Sequence, residues 1–258
     1  MSEPALVVET IAGVRVLRLN EPARRNALSD AIRHGLEREV PAFFADDEAR
    51  CLLVTGTGDS FCAGGDLASL DQVRTVDAMR ERMQRSHGWV SALLTRDKPV
   101  VCAVNGPAVG AGLGLALLGD ITVASEDAYF LPGFVMVGAA PDYGLGWTLP
   151  RAVGAKRAAD ILMTNRKIAA PAALAMGLVS RVLPTEGFQA AAMEIAQSLA
   201  QGPQVALAIT KSLLLHGATS DVDEFLAVEA DAQAEALMSP DAVRLRSTFL
   251  NKSRKREG

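Results

Sequence analysis

The chain has 258 residues, 26 lysines and arginines against 30 aspartates and glutamates, and a net charge of −4. With 49% hydrophobic and 22% charged residues it has the composition of a chain that buries a core, which excludes a disordered or coiled-coil protein. Mild acidity argues against nucleic acid or an anionic membrane as partner.

The first elements in chain order are two short strands, Ala5–Glu9 and Val14–Leu19. The second alternates apolar and basic residues, the pattern of a half-buried strand. Asn20-Glu21-Pro22 breaks it, and Ser29 or Asp30 can cap a helix running to about Phe44. Cys51–Thr55 and Pro99–Val104 are continuous apolar runs, as expected of strands covered on both faces. Each is followed by a Gly- and Ala-rich loop that opens a helix: Phe61–Leu67 into a short one, Gly106–Gly110 into Ala111–Leu118. A polar-faced helix fits Val76–Leu94, and Ile121–Ala124 is a further strand. Strand and helix alternation predicts an α/β architecture. From Ala155 the chain reads as helices at Lys156–Met163, Pro171–Met176, Gln189–Ala200, Val205–His216, Val222–Leu237 and Asp241–Leu250, with a frayed basic end at Lys252–Arg256.

The uncharged run between Lys98 and Asp120 is long enough to span a membrane, but Asn105, Pro107 and its glycines mark it as buried strand, loop and helix. Met1–Glu9 lacks the basic-then-apolar pattern of a secretory leader, so a cytoplasmic protein is expected. Cys51, Cys62 and Cys102 lie in apolar strings and read as reduced core residues. No Cys/His spacing suits a metal. A dinucleotide fingerprint, a Walker lysine and a nucleophile elbow are all missing. The two Gly-rich loops offer something else. The first turn of a helix leaves N–H groups unpaired, and two such turns facing each other can hold an oxyanion. Tight helix-on-strand packing explains the same small residues equally well.

Five strings are more specific. They are Asn20–Leu28, Phe61–Leu67, Ala103–Gly112, Leu149-Pro150-Arg151 and Ala175–Val179. Together they resemble the signatures of the crotonase superfamily, the enoyl-CoA hydratase/isomerase family, from about residue 5 to 250. The resemblance implies a crotonase-like spiral of β-β-α repeats over residues 1–195. It implies a helical C-terminal region over 196–258 that assembles homotrimers, often dimers of trimers. It also implies an acyl-CoA substrate, with coenzyme A as part of the substrate and no separate cofactor. Carried over by position, the N–H groups of Gly65 and Ala111 would form the oxyanion hole. Arg24, Ala63, Gly65, Asp66 and Leu67 would contact coenzyme A, Arg24 through its planar, permanently charged fork.

Hydratases of this family use two glutamates, and their places here hold Gly114 and Phe134. Neither residue moves protons, so ordinary hydration is expected to be weak. The remaining candidate is Asp142, a lone carboxylate after the uncharged residues 128–141. It reads either as a helix N-cap or as a reacting group. Several branches of the family that lack both glutamates carry an aspartate here, and the surrounding strings resemble the ring-1,2-epoxyphenylacetyl-CoA isomerase branch most. The resulting expectation is an isomerase that shifts a double bond in an unsaturated acyl-CoA, with Asp142 as the one proton shuttle. Two alternatives stay open: a hydrolase or dehalogenase with Asp142 as nucleophile, and a non-catalytic acyl-CoA-binding member. His34 reads as solvated, His87 and His216 as structural and Cys62 as packing. Tyr143 and Trp147 read either as core or as lining of the acyl pocket.

Overall fold

The computed structural model describes residues 3–257, with side chains through residue 251. A hairpin opens the chain: β1 (Leu6–Ile11) pairs antiparallel with β2 (Val14–Leu19) across Ala12-Gly13. Helix α1 (Asp30–Ala45) follows, and the Ser29 hydroxyl caps it by accepting from the Ile32 N–H at 3.3 Å. Next come β3 (Cys51–Gly56), the short α2 (Leu67–Leu70), α3 (Val76–Thr95) and β4 (Val100–Val104). Then β5 (Ala108–Val109), α4 (Ala111–Ala116), β6 (Ile121–Ser125), β7 (Tyr129–Leu131), α5 (Leu145–Val153) and α6 (Ala155–Thr164). The chain finishes with β8 (Ile168–Ala169), α7 (Ala170–Ala175), β9 (Arg181–Leu183), α8 (Phe188–Ala200), α9 (Gln204–Gly217), α10 (Val222–Met238) and α11 (Pro240–Glu257).

The main sheet has the order β1-β2-β3-β4-β6-β9, parallel beyond the first hairpin. Every residue of β3 and β4 is buried, as the continuous apolar runs require. Alternate side chains point to opposite faces. Leu52, Val54, Val100, Cys102 and Val104 therefore join the core against α1, α3 and α4, while Cys51, Leu53, Val101 and Ala103 join a second core on the other face. That second face is closed by α8 through Phe188, Ala192, Ala196 and Ala200. Three alanines at i, i+4, i+8 make one stripe, and their small size lets the helix close on the strands. The expected division at 195/196 falls inside this helix.

Two expectations need correction. Gly106–Gly110 is not wholly loop: β5 pairs with β7, and β7 with β8, in a second, three-stranded sheet. Strands of two or three residues are too short to show a period. The stretch Lys252–Arg256, expected beyond the last helix, lies inside α11, which runs to Glu257; the side chains of that stretch lie outside the described residues.

Candidate active site

Three loops meet at the carboxyl ends of the parallel strands, and two asparagines lace them together. Asn26 is fully buried in a left-handed conformation with φ 55°. Its Oδ1 accepts from the Glu21 N–H at 3.0 Å, and its Nδ2 donates to the Thr57 and Ser60 carbonyls at 2.9 and 2.7 Å. Asn105 accepts from the Gly56 N–H at 3.0 Å and donates to the Gly58 carbonyl at 2.9 Å. Buried polar backbone must be paired, and these two side chains pair it where no strand can. Further backbone bonds complete the lacing: Leu28 N–H to the Gly64 carbonyl at 2.8 Å, Cys62 N–H to the Pro107 carbonyl at 3.1 Å and Val109 N–H to the Cys62 carbonyl at 2.9 Å. None of these bonds uses the N–H of Gly65 or of Ala111.

The two expected oxyanion donors lie on abutting loops. Gly64, beside Gly65, has φ +95°, and a Cβ there would stand 2.6 Å from the Val109 carbonyl oxygen and 3.5 Å from the Ala111 nitrogen. Only glycine tolerates both that dihedral and that approach. Ala111 is the first residue of α4, so its N–H belongs to the unpaired first turn. Gly65 is exposed and Ala111 is buried.

Two of the expected coenzyme A contacts meet directly. Arg24 Nη2 sits 2.7 Å from Asp66 Oδ2, with Glu21 at 3.9 Å. The Arg24 hydrogen bond holds the Asp66 carboxyl below its ordinary value, and Asp66 in turn raises Arg24. Ala63 is half-buried and Leu67 is exposed.

Asp142 lies on a locked turn before α5. Tyr143 and Gly144 are consecutive left-handed residues with φ 49° and 72°. For tyrosine that conformation costs about 1–2 kcal/mol, and packing holds it there. The Tyr143 ring meets Trp89 edge-on at 5.4 Å between centroids, and the Ser86 side chain is its hydrogen-bonding neighbour. The N-cap reading fails. The cap of α5 is Gly144, with no side-chain cap bond, and it is the Asp142 carbonyl, not its carboxylate, that accepts from the Leu145 N–H at 2.9 Å. The carboxylate instead has one buried oxygen, Oδ1, with no hydrogen-bond partner among the described residues. Burial pushes this carboxyl up to about 6, opposed by its own backbone N–H and by the charge of Arg33.

Gly114, at the place expected for the first glutamate, packs against the turn that carries Asp142. A Cβ on Gly114 would stand 2.8 Å from the Tyr143 Cβ and 3.1 Å from the Asp142 carbonyl oxygen. The turn that carries Asp142 fills the space that a side chain at 114 would need. Gly114 lies three residues beyond Ala111 on α4, about 4.5 Å along the axis, so the backbone of the Asp142 turn packs against the helix that Ala111 opens. Phe134 is buried in a 3-10 turn, Phe134–Val137.

The other candidates separate cleanly. Cys62 is fully buried, and burial raises its thiol to about 12, so it packs and does not react. Tyr143 is half-buried against the core, whereas Trp147 is exposed on α5 with the Arg151 guanidinium stacked 3.9 Å over its ring. His34 and His87 are exposed. His216 ends α9 beside Phe225, with Glu224 at 4.0 Å. The described residues contain no cluster suited to a metal ion and no helix long and apolar enough to cross a membrane. Three residues here were not foreseen from the sequence: Ser86 and Trp89, which touch Tyr143, and Arg33, whose charge acts on Asp142. Their only signal was the spacing of Ser86 and Trp89 on a helix that otherwise looked polar.

Residues 9–255 match the sequence profile of the enoyl-CoA hydratase/isomerase family. The chain therefore belongs to that family of crotonase-fold enzymes, which act on acyl-CoA thioesters. It is similar to a 1,2-epoxyphenylacetyl-CoA isomerase of Escherichia coli, 36% identical with 93% of each chain covered. It is also similar to a 4-chlorobenzoyl coenzyme A dehalogenase of an Arthrobacter species, 32% identical over 86% of this chain and 82% of the relative. Among solved structures, an enoyl-CoA hydratase/isomerase from Cupriavidus metallidurans superposes with a TM-score of 0.90 at 32% identity, covering 98% of this chain and 95% of that one.

Proposed function

We propose that the enzyme is an isomerase that shifts the double bond of an unsaturated acyl-CoA. The observation that carries this reading is Asp142, whose buried Oδ1 has no partner among the described residues in a site where Gly114 and Phe134 replace proton-moving groups. The thioester oxygen sits between the N–H groups of Gly65 and Ala111. Asp142, ionised above about pH 6, removes a proton next to the carbonyl. The electron pair moves onto the thioester oxygen, where the two donors stabilise the charge. Asp142 then returns the proton two carbons further along, on the same face, and the double bond has moved. A base near neutrality suits both transfers. Arg24, Asp66 and Leu67 hold the coenzyme A portion at the mouth.

Asp142→Asn preserves size and removes basicity. Turnover is expected to fall by about 100-fold or more while acyl-CoA affinity is retained, and Asp142→Ala is expected to behave alike. An Asn variant with near wild-type turnover removes Asp142 from the mechanism. The similarity to a dehalogenase favours one second reading, with Asp142 attacking a ring carbon, halide leaving, to form an aryl ester that water hydrolyses at the Asp142 carboxyl carbon. Single turnover in heavy-oxygen water separates the two: label enters the Asp142 carboxylate only in the nucleophilic route.

A further inference from the structure

No neighbouring side chain donates a hydrogen bond to the Asp142 carboxylate. Its buried Oδ1 has no partner, and among the described residues its one hydrogen-bonding neighbour is its own backbone N–H. Arg33 acts on it through charge, its guanidinium donating instead to the Asp30 carboxylate and the Arg82 carbonyl. A carboxylate without donors from other side chains takes its place from the turn that carries it.

That turn is wedged between two helices. Tyr143 has φ 49°, a left-handed conformation that glycine enters freely and tyrosine does not. Such outliers persist only where their surroundings over-determine them. On the α4 side, the Tyr143 Cβ is the nearest atom to a Cβ built on Gly114, at 2.8 Å. On the α3 side, the Tyr143 ring meets Trp89 at 5.4 Å between centroids and 60° between planes, with Ser86 as its hydrogen-bonding neighbour. Trp89 and Ser86 are both buried. A Cβ on Gly144 would lie 3.7 Å from Val90 Cγ1 and 3.9 Å from Leu94 Cδ1 and Leu118 Cδ2, so the next residue sits in the same trough. Helix α4 thus carries the expected Ala111 donor at its start and backs the turn at Gly114.

We propose that Tyr143 is a positioning residue for the reaction: its ring, seated on Trp89 and Ser86, anchors the left-handed turn that sets the place of the Asp142 carboxylate. The inference rests on Asp142 being the proton shuttle of the isomerase reading. Glycine at 143 would fit the dihedral without strain but would leave the turn free to move. Proton transfer is sensitive to such freedom, since a misplacement of about 1 Å costs about 100-fold in rate. If Tyr143 only filled the core, a smaller residue there would weaken the fold and leave the carboxylate where it is.

The test follows conversion of hex-3-enoyl-CoA to hex-2-enoyl-CoA by the full chain, with kcat and KM separated across pH and binding of saturated hexanoyl-CoA measured alongside. Tyr143→Gly is expected to lower kcat by about 30- to 100-fold while hexanoyl-CoA affinity stays within about threefold. The acid limb of its kcat profile is expected at lower pH, because a carboxylate released to water is no longer penalised for its charge. Tyr143→Phe, which keeps the ring, is expected to recover most of the lost kcat. A Tyr143→Gly variant with kcat within about threefold of wild type, or with an unmoved acid limb, overturns the proposal. Should Tyr143→Gly fail to fold, Ser86→Ala and Tyr143→Phe decide: each removes one end of the same bond, so each is expected to lower kcat by about threefold and the pair no further. An unchanged kcat in both overturns the proposal. Should the wild type leave this probe unconverted, stability decides: the gain from Asp142→Asn near pH 8 is expected to fall by about half or more in the Tyr143→Gly background, and an undiminished gain overturns the proposal. Near wild-type kcat in Asp142→Asn would instead overturn the proton-shuttle reading itself.

Discussion

Asp142 is a carboxyl that the native fold prefers to keep protonated. Its native value of about 6 lies above the ordinary 3.8, so between those values the native state binds more protons than the unfolded chain. Stability therefore falls as pH rises through that window. Above about pH 6 the whole penalty is present, about 3 kcal/mol for a shift of roughly two units. Asp142→Asn removes the ionisation. In paired urea titrations the variant is expected to exceed the wild type by about 2–3 kcal/mol near pH 8, and the gain should vanish near pH 4. An equal difference at both values would show that the carboxylate is not penalised by its surroundings. The sign is informative, because an aspartate kept for architecture stabilises when charged. At this scale the sequence made Asp142 legible as a lone carboxylate after an apolar run. It did not choose between cap and base. Gly144 in the cap position removes the cap reading.

At the scale of elements, the site is set by how closely α4 approaches the loop after β3. A Cβ on Gly112 would stand 2.3 Å from the Cys62 carbonyl oxygen and 2.8 Å from its Cβ. Gly112→Ala must therefore push α4 away from the loop that carries Gly65, widening the gap between the two N–H donors. A stability loss of about 1–3 kcal/mol is expected, with turnover falling more than affinity. Gly146→Ala on α5 is the control. Nothing lies within 4 Å of its added Cβ, so it should be neutral or stabilising by up to about 1 kcal/mol. Equal effects of the two substitutions would show that close approach at Gly112 is unimportant. The Gly-rich loops were legible because strand, glycines and helix occur in one string twice. The small sheet of β5, β7 and β8 was not, because its pairing joins segments far apart in the chain.

At the scale of the whole molecule, Lys211 ties the C-terminal helices to the core, and those helices leave apolar residues exposed. Lys211 on α9 meets Asp120 at 2.9 Å and donates to the Leu93 and Lys98 carbonyls at 2.8 and 3.1 Å. Burial pushes the Asp120 carboxyl up against the pull of Lys211. Beyond this anchor Leu214, Val222, Leu226, Met238 and Val243 are each at least half exposed. Exposed apolar residues on three successive helices are what association between chains would cover. A mass of three chains, or a multiple of three, is expected by sedimentation at micromolar concentration, and a single-chain mass would overturn that expectation.

The sequence by itself determined the α/β class, the buried parallel strands and the two loops, because continuous apolar runs and Gly-rich strand–helix junctions are local patterns. The strings around them carried the family. It also showed that both glutamate positions are empty of proton-moving groups, since that needs only the residue types. Only the tertiary structure decided that the turn of Asp142 occupies the space of the side chain missing at Gly114. It alone brought Ser86 and Trp89 of α3 against Tyr143 in that turn. The physical reason is the same in both cases. Desolvation, unpaired donors and close approach are properties of packed neighbours, and those neighbours are distant along the chain.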